Sequence, residues 1–425
     1  MDPTATERAR LRGCPRSGGS AHHQSGMMRD RQAAPRPSHL RYILVVTVAI
    51  ADRTVLDDRG EELEVKIVKA EALLCDLEVE SVRTDAIQSF AEQETIFVDI
   101  ETEDGLTGTG YSYTIGTGGR AVLRLLRTDL LDLLIGEDAR RVEAIWQKLF
   151  WSTHATAVGA ITSLALAAAD VALWDIRCKA AGQPLWLLAG GANPTVPLYD
   201  TEGGWLQLGT EELVTGALES KARGWPGVKL KVGKPRASED LERLRAVREA
   251  VGPDMDIMVD ANQSMTYAEA KRRARMFEEV DIFWFEEPMP AEDIIGHARL
   301  AASTGVPVAV GESIYSLSHF REYLQSGGAG IVQVDAARIG GITPWLKTAH
   351  LAEAFNVKVA PHFLMELHVS LAAAVPNALY VEHIPQLRAI TTREIQTAGG
   401  HAVPPSDPGI GIAWDREAME KMRVE

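Results

Sequence analysis

Ionisable side chains recur at the ends of short apolar runs through the second half of the 425-residue sequence. Two of them, Lys229 and Lys231, lie two residues apart in the run VKLK. Because successive side chains of a strand point to opposite faces, both ammonium groups would project from one face. An edge strand with a solvated lysine face explains this pair alone equally well. The later runs end in Asp260, Glu286, Glu312, Asp335, His362 and Glu382. Structural roles such as helix capping do not readily explain so long a series, which therefore predicts a catalytic site.

Three carboxylates on consecutive strands predict a metal site. The side chains of Asp260, Glu286 and Glu312 would converge, and without a cation among them they would raise one another's pKa. An all-oxygen set that leaves positions open for water and substrate suits Mg²⁺, with Mn²⁺ as a possible substitute. No cluster of cysteine or histidine favours zinc. Because neighbouring strand residues face opposite ways, we predict Glu286 as the ligand and place Glu287 behind it.

Lys231 and His362 are predicted to act as bases on a small-molecule carboxylate substrate. Their strands flank an axis that runs from the metal to Glu382, on the opposite side of the ring of strands. Asp335, one strand from His362, would orient the imidazole. Lys229 and the metal would lower the pKa of Lys231, which must be neutral to accept a proton. The predicted chemistry is abstraction of the proton α to a carboxylate, with the enolate stabilised electrostatically.

Amphipathic stretches alternate with the apolar runs, which predicts parallel strands joined by helices. The clearest helical stretches are Ser238–Val251, Tyr267–Glu279 and Pro344–Phe355. The eight predicted strands are Val196–Asp200, Val228–Val232, Ile257–Asn262, Ile282–Glu286, Val308–Glu312, Ile331–Asp335, Val357–His362 and Ala378–Glu382. Eight strands at intervals of roughly 20–30 residues predict the α/β class and a closed (β/α)₈ TIM barrel. A doubly wound sheet would need a glycine-rich turn after its first strand, which the sequence lacks.

Residues 65–190 are predicted to form a separate α+β domain ahead of a barrel over residues 191–387. The predicted strands, from alternating polarity, are Lys66–Asp76, Glu94–Glu101 and Leu106–Ser112. The predicted helices, from the 3.6-residue period, are Arg120–Leu134, Asp138–Trp151 and Ile161–Ala181. The tail, about residues 388–425, could return to this first domain.

Two polar segments of the first domain are predicted to be loops that contact the far end of the substrate. One is Leu77–Thr95, and the other is Tyr111–Gly119. Their composition fits a polyhydroxylated acid better than an aryl group. The residues predicted to bind substrate are Arg83, Tyr113, Asn262 and Glu287.

Composition limits the remaining possibilities. The net charge of −15, without a basic stripe, argues against nucleic-acid binding. Three scattered cysteines form no disulfide framework, which favours a reducing compartment and hence the cytoplasm. Residues 1–64 are predicted to be a disordered extension, although basic residues before the apolar run Tyr42–Ile50 also resemble a signal peptide. Nine residues are too few to span a bilayer, so no membrane association is predicted.

The motifs at the strand ends resemble those of the enolase superfamily, specifically its mandelate racemase subgroup. They are KxK, MVDAN, WFEEP, VGES, VQVDxxRIGG, PH and VEH, and the resemblance covers about residues 65–420. It implies a modified (β/α)₈ barrel under an α+β capping domain built from both ends of the chain. It also implies a homo-oligomer, from dimer to octamer. By position, Lys231 matches the base and Lys229 its electrostatic partner. Asp260, Glu286 and Glu312 match the Mg²⁺ ligands, and His362 with Asp335 matches the His–Asp dyad. Glu382 matches the acid that hydrogen-bonds the substrate carboxylate.

This subgroup shares one set of catalytic groups among several reactions. The polar capping segments favour dehydration of a sugar acid to a 2-keto-3-deoxy acid, with His362 protonating the departing hydroxyl. The alternatives are a racemase or epimerase of a 2-hydroxy acid and a sugar-acid cycloisomerase of the anhydrogalactonate or lactone type. A catalytically silent barrel retained as a binding protein would have lost at least one base, metal or dyad residue, and none is lost here.

Overall fold

The computed structural model describes residues 65–425 of the chain. The predicted extension at residues 1–64, with its signal-peptide alternative, lies outside the described residues. Within residues 65–425, no helix combines the length and the apolar character needed to cross a membrane.

An antiparallel sheet of three strands opens the described part of the chain. Its strands are β1 (Ile67–Thr84), β2 (Ser89–Thr102) and β3 (Thr107–Thr114), paired in that order. Apolar side chains alternate with polar ones along the strands, so one face of the sheet is apolar and buried. Leu74 and Ile96, for example, lie opposite each other in the β1–β2 ladder and are both buried.

The β1–β2 hairpin is longer than the sequence predicts. Segment Leu77–Thr95 is predicted to be a loop, but the ladder continues as far as the pair Thr84–Ser89. Residues 85–88 alone form the turn, where Asp85 Oδ1 accepts two backbone N–H groups at 2.7 and 2.8 Å. The loop prediction is wrong because backbone pairing continues beyond the point where apolar and polar residues stop alternating.

Three helices follow this sheet, of which the first and third pack against it and the second packs against the third. They are α1 (Gly119–Leu125), α2 (Val142–Ser152) and α3 (Ala160–Ala180). Helix α3 lies so close to β3 that a Cβ atom at Gly110 would be 2.1 Å from the carbonyl oxygen of Ala168. Glycine is therefore required at that point of contact. A short helix, α4 (Leu185–Leu188), then leads to the barrel.

Eight parallel strands form the barrel. They are β4 (Val196–Asp200), β5 (Gly227–Lys231), β6 (Asp256–Asp260), β7 (Trp284–Glu286), β8 (Val308–Val310), β9 (Ile331–Val332), β10 (Lys358–Val359) and β11 (Val381–His383). Neighbours pair in sequence from β4 to β10, and β11 pairs with β4. Between β10 and the segment before β11, a single parallel bridge, Val359–Ala378, makes the junction. The predicted α/β class and modified (β/α)₈ barrel are confirmed.

The connecting helices lie between these strands. They are α5 (Thr210–Ala222), α6 (Ala237–Val251), α7 (Tyr267–Phe277), α8 (Ile294–Ala301), α9 (Leu317–Ser326), α10 (Ala336–Ile339), α11 (Ile342–Ala354) and α12 (Met365–Ala374). Strands β8, β9 and β10 end two or three residues before the predicted boundaries. The apolar pattern continues past each strand because the turn residues above the barrel are themselves buried, as Val334 and Ala360 are.

The C-terminal segment returns to the first sheet. It contains β12 (Gln396–Ala398), β13 (His401–Val403) and α13 (Arg416–Met422). Strand β13 pairs with β4, and Val424 donates its backbone N–H to the carbonyl oxygen of Leu74 on β1 at 2.9 Å. The segment therefore contacts the barrel through β13 and the first sheet through its last residues.

Candidate active site

Most residues of the candidate site lie in one layer of inward-facing side chains at the mouth of the barrel. A buried interior layer consists of Tyr199, Met258, Trp284, Ala309, Ile331, Ala360 and Tyr380. Because inward-facing positions recur every second residue, the next layer lies two residues nearer the C-terminal mouth. That layer holds Thr201, Lys229, Asp260, Glu286, Gly311, Gln333, His362 and Glu382. Glu312 and Asp335 follow in the turns after β8 and β9.

The three predicted metal ligands lie together. Asp260, Glu286 and Glu312 are buried, and one carboxylate oxygen of each lies within 4.8 Å of the others. Burial and the charge of Asp260 raise the pKa of Glu286 to about 8. Such a concentration of carboxyl groups would be relieved by a hard divalent cation, and the all-oxygen donor set fits Mg²⁺.

The paired lysines are held by carboxylates. The ammonium group of Lys229 lies 2.9 Å from Glu286, 3.5 Å from Asp260 and 2.8 Å from Glu382. The Nζ atom of Lys231 donates to Asp260 at 2.5 Å. Lys229 therefore links Glu382 to the carboxylate cluster, while Lys231 takes its position from one member of it.

The sequence predicts a lowered pKa for Lys231, but the charged side chains around it in the structure raise this pKa. Burial lowers this pKa, but Asp260 and the other nearby acids outweigh burial and Lys229, so the pKa lies above its usual value. A divalent cation would offset two of the three negative charges in the cluster. The predicted lowering therefore depends on the cation.

Asp335 orients His362 and is itself firmly held. Its Oδ2 atom lies 2.9 Å from His362 Nδ1 and accepts the Tyr113 hydroxyl at 2.8 Å. Its Oδ1 atom accepts the backbone N–H groups of Ala337 and Arg338 at the start of α10. The other imidazole nitrogen, Nε2, lies 3.2 Å from Glu312, so the ring extends from the dyad to the carboxylate cluster.

The Asp335→Asn substitution is expected to lower kcat by about 10²- to 10⁴-fold, the usual range for a disabled general acid–base group. Burial lowers the pKa of His362, but Glu312 and Asp335 raise it further, so the pKa lies above its usual value. Removing one of these charges lowers the pKa, and a step that needs protonated His362 then fails at lower pH. The kcat–pH profile measures this shift. Tyr113→Phe keeps the Asp335 charge and should leave the profile in place, whereas an unmoved profile in Asp335→Asn would contradict the assigned dyad.

Glu382 is anchored on three sides. Besides contacting Lys229, it accepts the Thr201 hydroxyl at 2.6 Å and the Phe363 backbone N–H at 2.7 Å. Burial raises the pKa of this carboxyl group, but Lys229 and His362 outweigh burial and hold it below its usual range. As an anion Glu382 accepts hydrogen bonds, so the predicted bond to a substrate carboxylate requires a proton shared between the two groups.

A cavity of about 300 Å³ opens beside these residues. Lys231, His362, Glu312 and Glu382 line it, and so does Asn262, one of the four predicted substrate contacts. The side-chain oxygen of Asn262 is buried without a partner among the described residues, which leaves it available to a ligand.

The structure does not bring the other three predicted contacts to this lining. The Tyr113 hydroxyl is used by Asp335, and Phe363 packs against its ring at 4.5 Å. Glu287 is fully buried behind the predicted metal ligands, where the Ser313 hydroxyl donates a hydrogen bond to it. Arg83 pairs with Glu202 and lines a neighbouring cavity instead.

Several lining residues are absent from the sequence predictions. They include Thr201, Trp205, Gln263, Tyr315 and Arg338, whereas Asp85 belongs to the predicted segment Leu77–Thr95. The Lys231 ammonium lies 5.3 Å from the Trp205 ring centroid, which places an aromatic face against the predicted base. Arg338 belongs to the motif VQVDxxRIGG, which could have indicated it as a site residue. The direction of its side chain, however, depends on the turn after β9.

Fold and site together define an enzyme of cation-assisted acid–base chemistry. The chain belongs to the mandelate racemase and muconate lactonizing enzyme family of the enolase superfamily. Residues 74–190 match the N-terminal domain of that family, and residues 212–418 match the enolase C-terminal domain-like model. The resemblance drawn from the motifs is confirmed.

Individual relatives span two types of reaction. The chain is 36% identical to L-talarate/galactarate dehydratase of Salmonella typhimurium, over 79% of this chain and 84% of that protein. It is 38% identical to 3,6-anhydro-alpha-L-galactonate cycloisomerase of Streptomyces coelicolor, over 78% of this chain and 92% of that protein. The crystal structure of L-talarate dehydratase from Polaromonas sp., complexed with Mg and L-glucarate, matches with a TM-score of 0.81 at 36% identity. That match covers 85% of this chain and 98% of the other.

Proposed function

We propose that the protein dehydrates a sugar acid to a 2-keto-3-deoxy acid in a Mg²⁺-dependent reaction. One observation carries the proposal: Lys231 and His362 line a single cavity that also borders the cluster of Asp260, Glu286 and Glu312. An acid–base pair beside a cation site is what removal of a weakly acidic α-proton requires.

Two side chains of the chain move the protons. Neutral Lys231 takes the α-proton on Nζ, and the electron pair of the broken C–H bond forms the double bond to the β-carbon. The C–O bond at the β-carbon breaks as protonated His362 gives its Nε2 proton to the leaving hydroxyl, which departs as water. The resulting enol becomes the 2-keto acid when the β-carbon is protonated. The Asp335 charge stabilises the imidazolium form that this step requires.

Asp260, Glu286 and Glu312 would hold Mg²⁺, or Mn²⁺ in its place, and the bound cation would stabilise negative charge on the substrate carboxylate. Lys229 forms ion pairs with both Glu286 and Glu382 and keeps the two carboxylates in position. Asn262 and Thr201 present polar atoms to the cavity.

A sugar-acid cycloisomerase or a racemase is the second candidate. The observation that favours it is the 38% identity to a cycloisomerase, since the same bases serve both reactions. Cyclisation returns a proton without loss of water, and racemisation returns it from the opposite face.

Incubation with Mg²⁺ and a panel of mono- and diacid sugars is expected to yield 2-keto products for at least one acid. Semicarbazide detection of the keto group and mass loss of one water measure the result. The dehydratase proposal fails if no acid on the panel loses water while lactone-forming or racemisation assays with the same acids show turnover.

We also propose a homo-oligomer, from dimer to octamer, in the cytoplasm. Two exposed apolar side chains support the oligomer: Trp151 near the end of α2 is 64% exposed, and Val158 in the loop between α2 and α3 is 51% exposed. Supporting the cytoplasmic location, Cys75 and Cys178 are buried free thiols. Light scattering on the purified protein measures the oligomeric state, and fractionation of native cells measures the location.

A further inference from the structure

Arg338 is a cation of the candidate site that forms no ion pair within residues 65–425, although Asp335 and Glu312 are near enough to raise its pKa. Lys231 is paired with Asp260, and His362 with Asp335. Arg338 also lines the cavity, yet among residues 65–425 no carboxylate forms an ion pair with its guanidinium group. A permanent charge partly withdrawn from water is costly unless a ligand supplies the opposite charge.

The guanidinium group is held in place without using up its donors. Its Nη1 atom donates to the Tyr315 hydroxyl at 3.1 Å, and its carbon lies 5.6 Å from the ring centroid of Tyr113. No other side-chain hydrogen bond of Arg338 is made within the described residues. The planar group therefore keeps its Nε–Nη2 edge for a carboxylate, which it can bind through two parallel hydrogen bonds.

The position of Arg338 is tied to that of the dyad. Asp335 fixes the start of α10 by accepting the backbone N–H of Arg338, and the same carboxylate orients His362. One carboxylate therefore positions both the backbone of Arg338 and the imidazole of His362.

Other charges along the cavity disfavour a second anion elsewhere. Asp85 lines it on the side of Lys231, and Glu292 lines it from the loop after β7. Uncharged groups, including Gln88, Gln263 and Ser313, complete the lining and suit hydroxyl groups. An anion at the second end of the substrate is thus accommodated at Arg338 alone among the lining residues.

We propose that Arg338 binds the second carboxylate of a sugar diacid, so that diacids rather than monoacids are the preferred substrates. This inference rests on the proposed function and narrows its substrate class. The reacting carboxylate takes the place beside Asp260, Glu286 and Glu312, and the distal carboxylate takes the place beside Arg338.

Matched acids of one configuration, such as galactarate and galactonate, test the proposal in the full chain with Mg²⁺. The native protein is expected to have a higher kcat/KM for the diacid. In Arg338→Gln the ratio of diacid to monoacid kcat/KM should fall by about 10- to 100-fold, mainly through KM, as expected for a lost charge-assisted contact. Arg338→Lys should recover part of the ratio, and Arg321→Gln, the same change at an exposed arginine of α9, should leave it unaltered.

An unchanged ratio in Arg338→Gln overturns the inference. So does an equal loss for both acids, which would mean that Arg338 holds the reacting carboxylate or supports the dyad. If the native protein dehydrates no acid, the proposed function fails. Titration calorimetry with the same acids then still decides the role of Arg338, because equal affinities for diacid and monoacid in the native protein would exclude it.

Discussion

The Glu286→Gln substitution is expected to lower kcat/KM by about 1000-fold or more. Glu286 ends β7 between Asp260 and Glu312, and all three carboxylates converge within 4.8 Å. An amide is a weaker ligand for Mg²⁺ and removes one of three negative charges from the site. A factor of about 1000 corresponds to about 4 kcal/mol of transition-state stabilisation, within the range attributed to a catalytic cation. Steady-state kinetics across a magnesium titration measure it.

The same substitution should not destabilise the metal-free protein. Burial and the Asp260 charge raise the pKa of Glu286 from 4.5 to about 8. Since the folded protein holds this proton more tightly, stability without metal falls as pH rises from about 4.5 to about 8. Glutamine removes that dependence, and Lys229 keeps its contacts with Glu382 and Asp260.

Thermal unfolding with and without magnesium distinguishes the two effects. The native protein should gain Tm on addition of Mg²⁺, whereas Glu286→Gln should gain little. Glu322→Gln, a matched change at an exposed acid of α9, should behave as the native protein does. Native activity that survives exhaustive chelation would show that the carboxylate cluster is not a catalytic metal site.

The barrel and its carboxylate cluster were predictable because side chains of a strand alternate between its two faces, so one strand assignment places several residues at once. Asp260 and Glu286 end their strands, so alternation alone brings them to the mouth. His362 and Asp335 lie beyond the ends of β10 and β9, and their meeting depends on turns. Both turns are short, so a residue that follows the strand by a few positions is still correctly predicted to lie at the C-terminal mouth of the barrel.

The capping contacts were less predictable because they depend on how two domains meet. Tyr113 looks like a substrate contact in the sequence, since it lies in a polar, glycine-rich segment. In the structure its position on β3 directs the hydroxyl to Asp335, 222 residues away in the chain. Arg338 shows the reverse case: it follows the dyad acid in the sequence, but only the fold shows that it lines the cavity. No local pattern encodes either outcome.

The Lys231→Ala and His362→Asn substitutions are each expected to abolish dehydration, lowering kcat by about 10³-fold or more, but they should differ in isotope exchange. Lys231→Ala removes the base, so exchange of the α-hydrogen with solvent deuterium should also stop. His362→Asn removes the acid that expels the hydroxyl and leaves Lys231 able to take and return the α-proton. Exchange should therefore persist in that variant. Proton NMR in D₂O measures exchange and elimination in one sample.

The two variants also separate the competing reactions. In a racemase both bases would exchange the α-hydrogen, each on one face, so each single variant would keep exchange for one enantiomer. In a dehydratase, exchange follows Lys231 alone. Lys421→Ala and His350→Asn make the same changes at exposed positions and should leave both rates unaltered. Because His362 Nε2 and Lys231 Nζ face one cavity, exchange of one and the same enantiomer in both variants would mean that some other group takes the proton, and neither residue could then be the base.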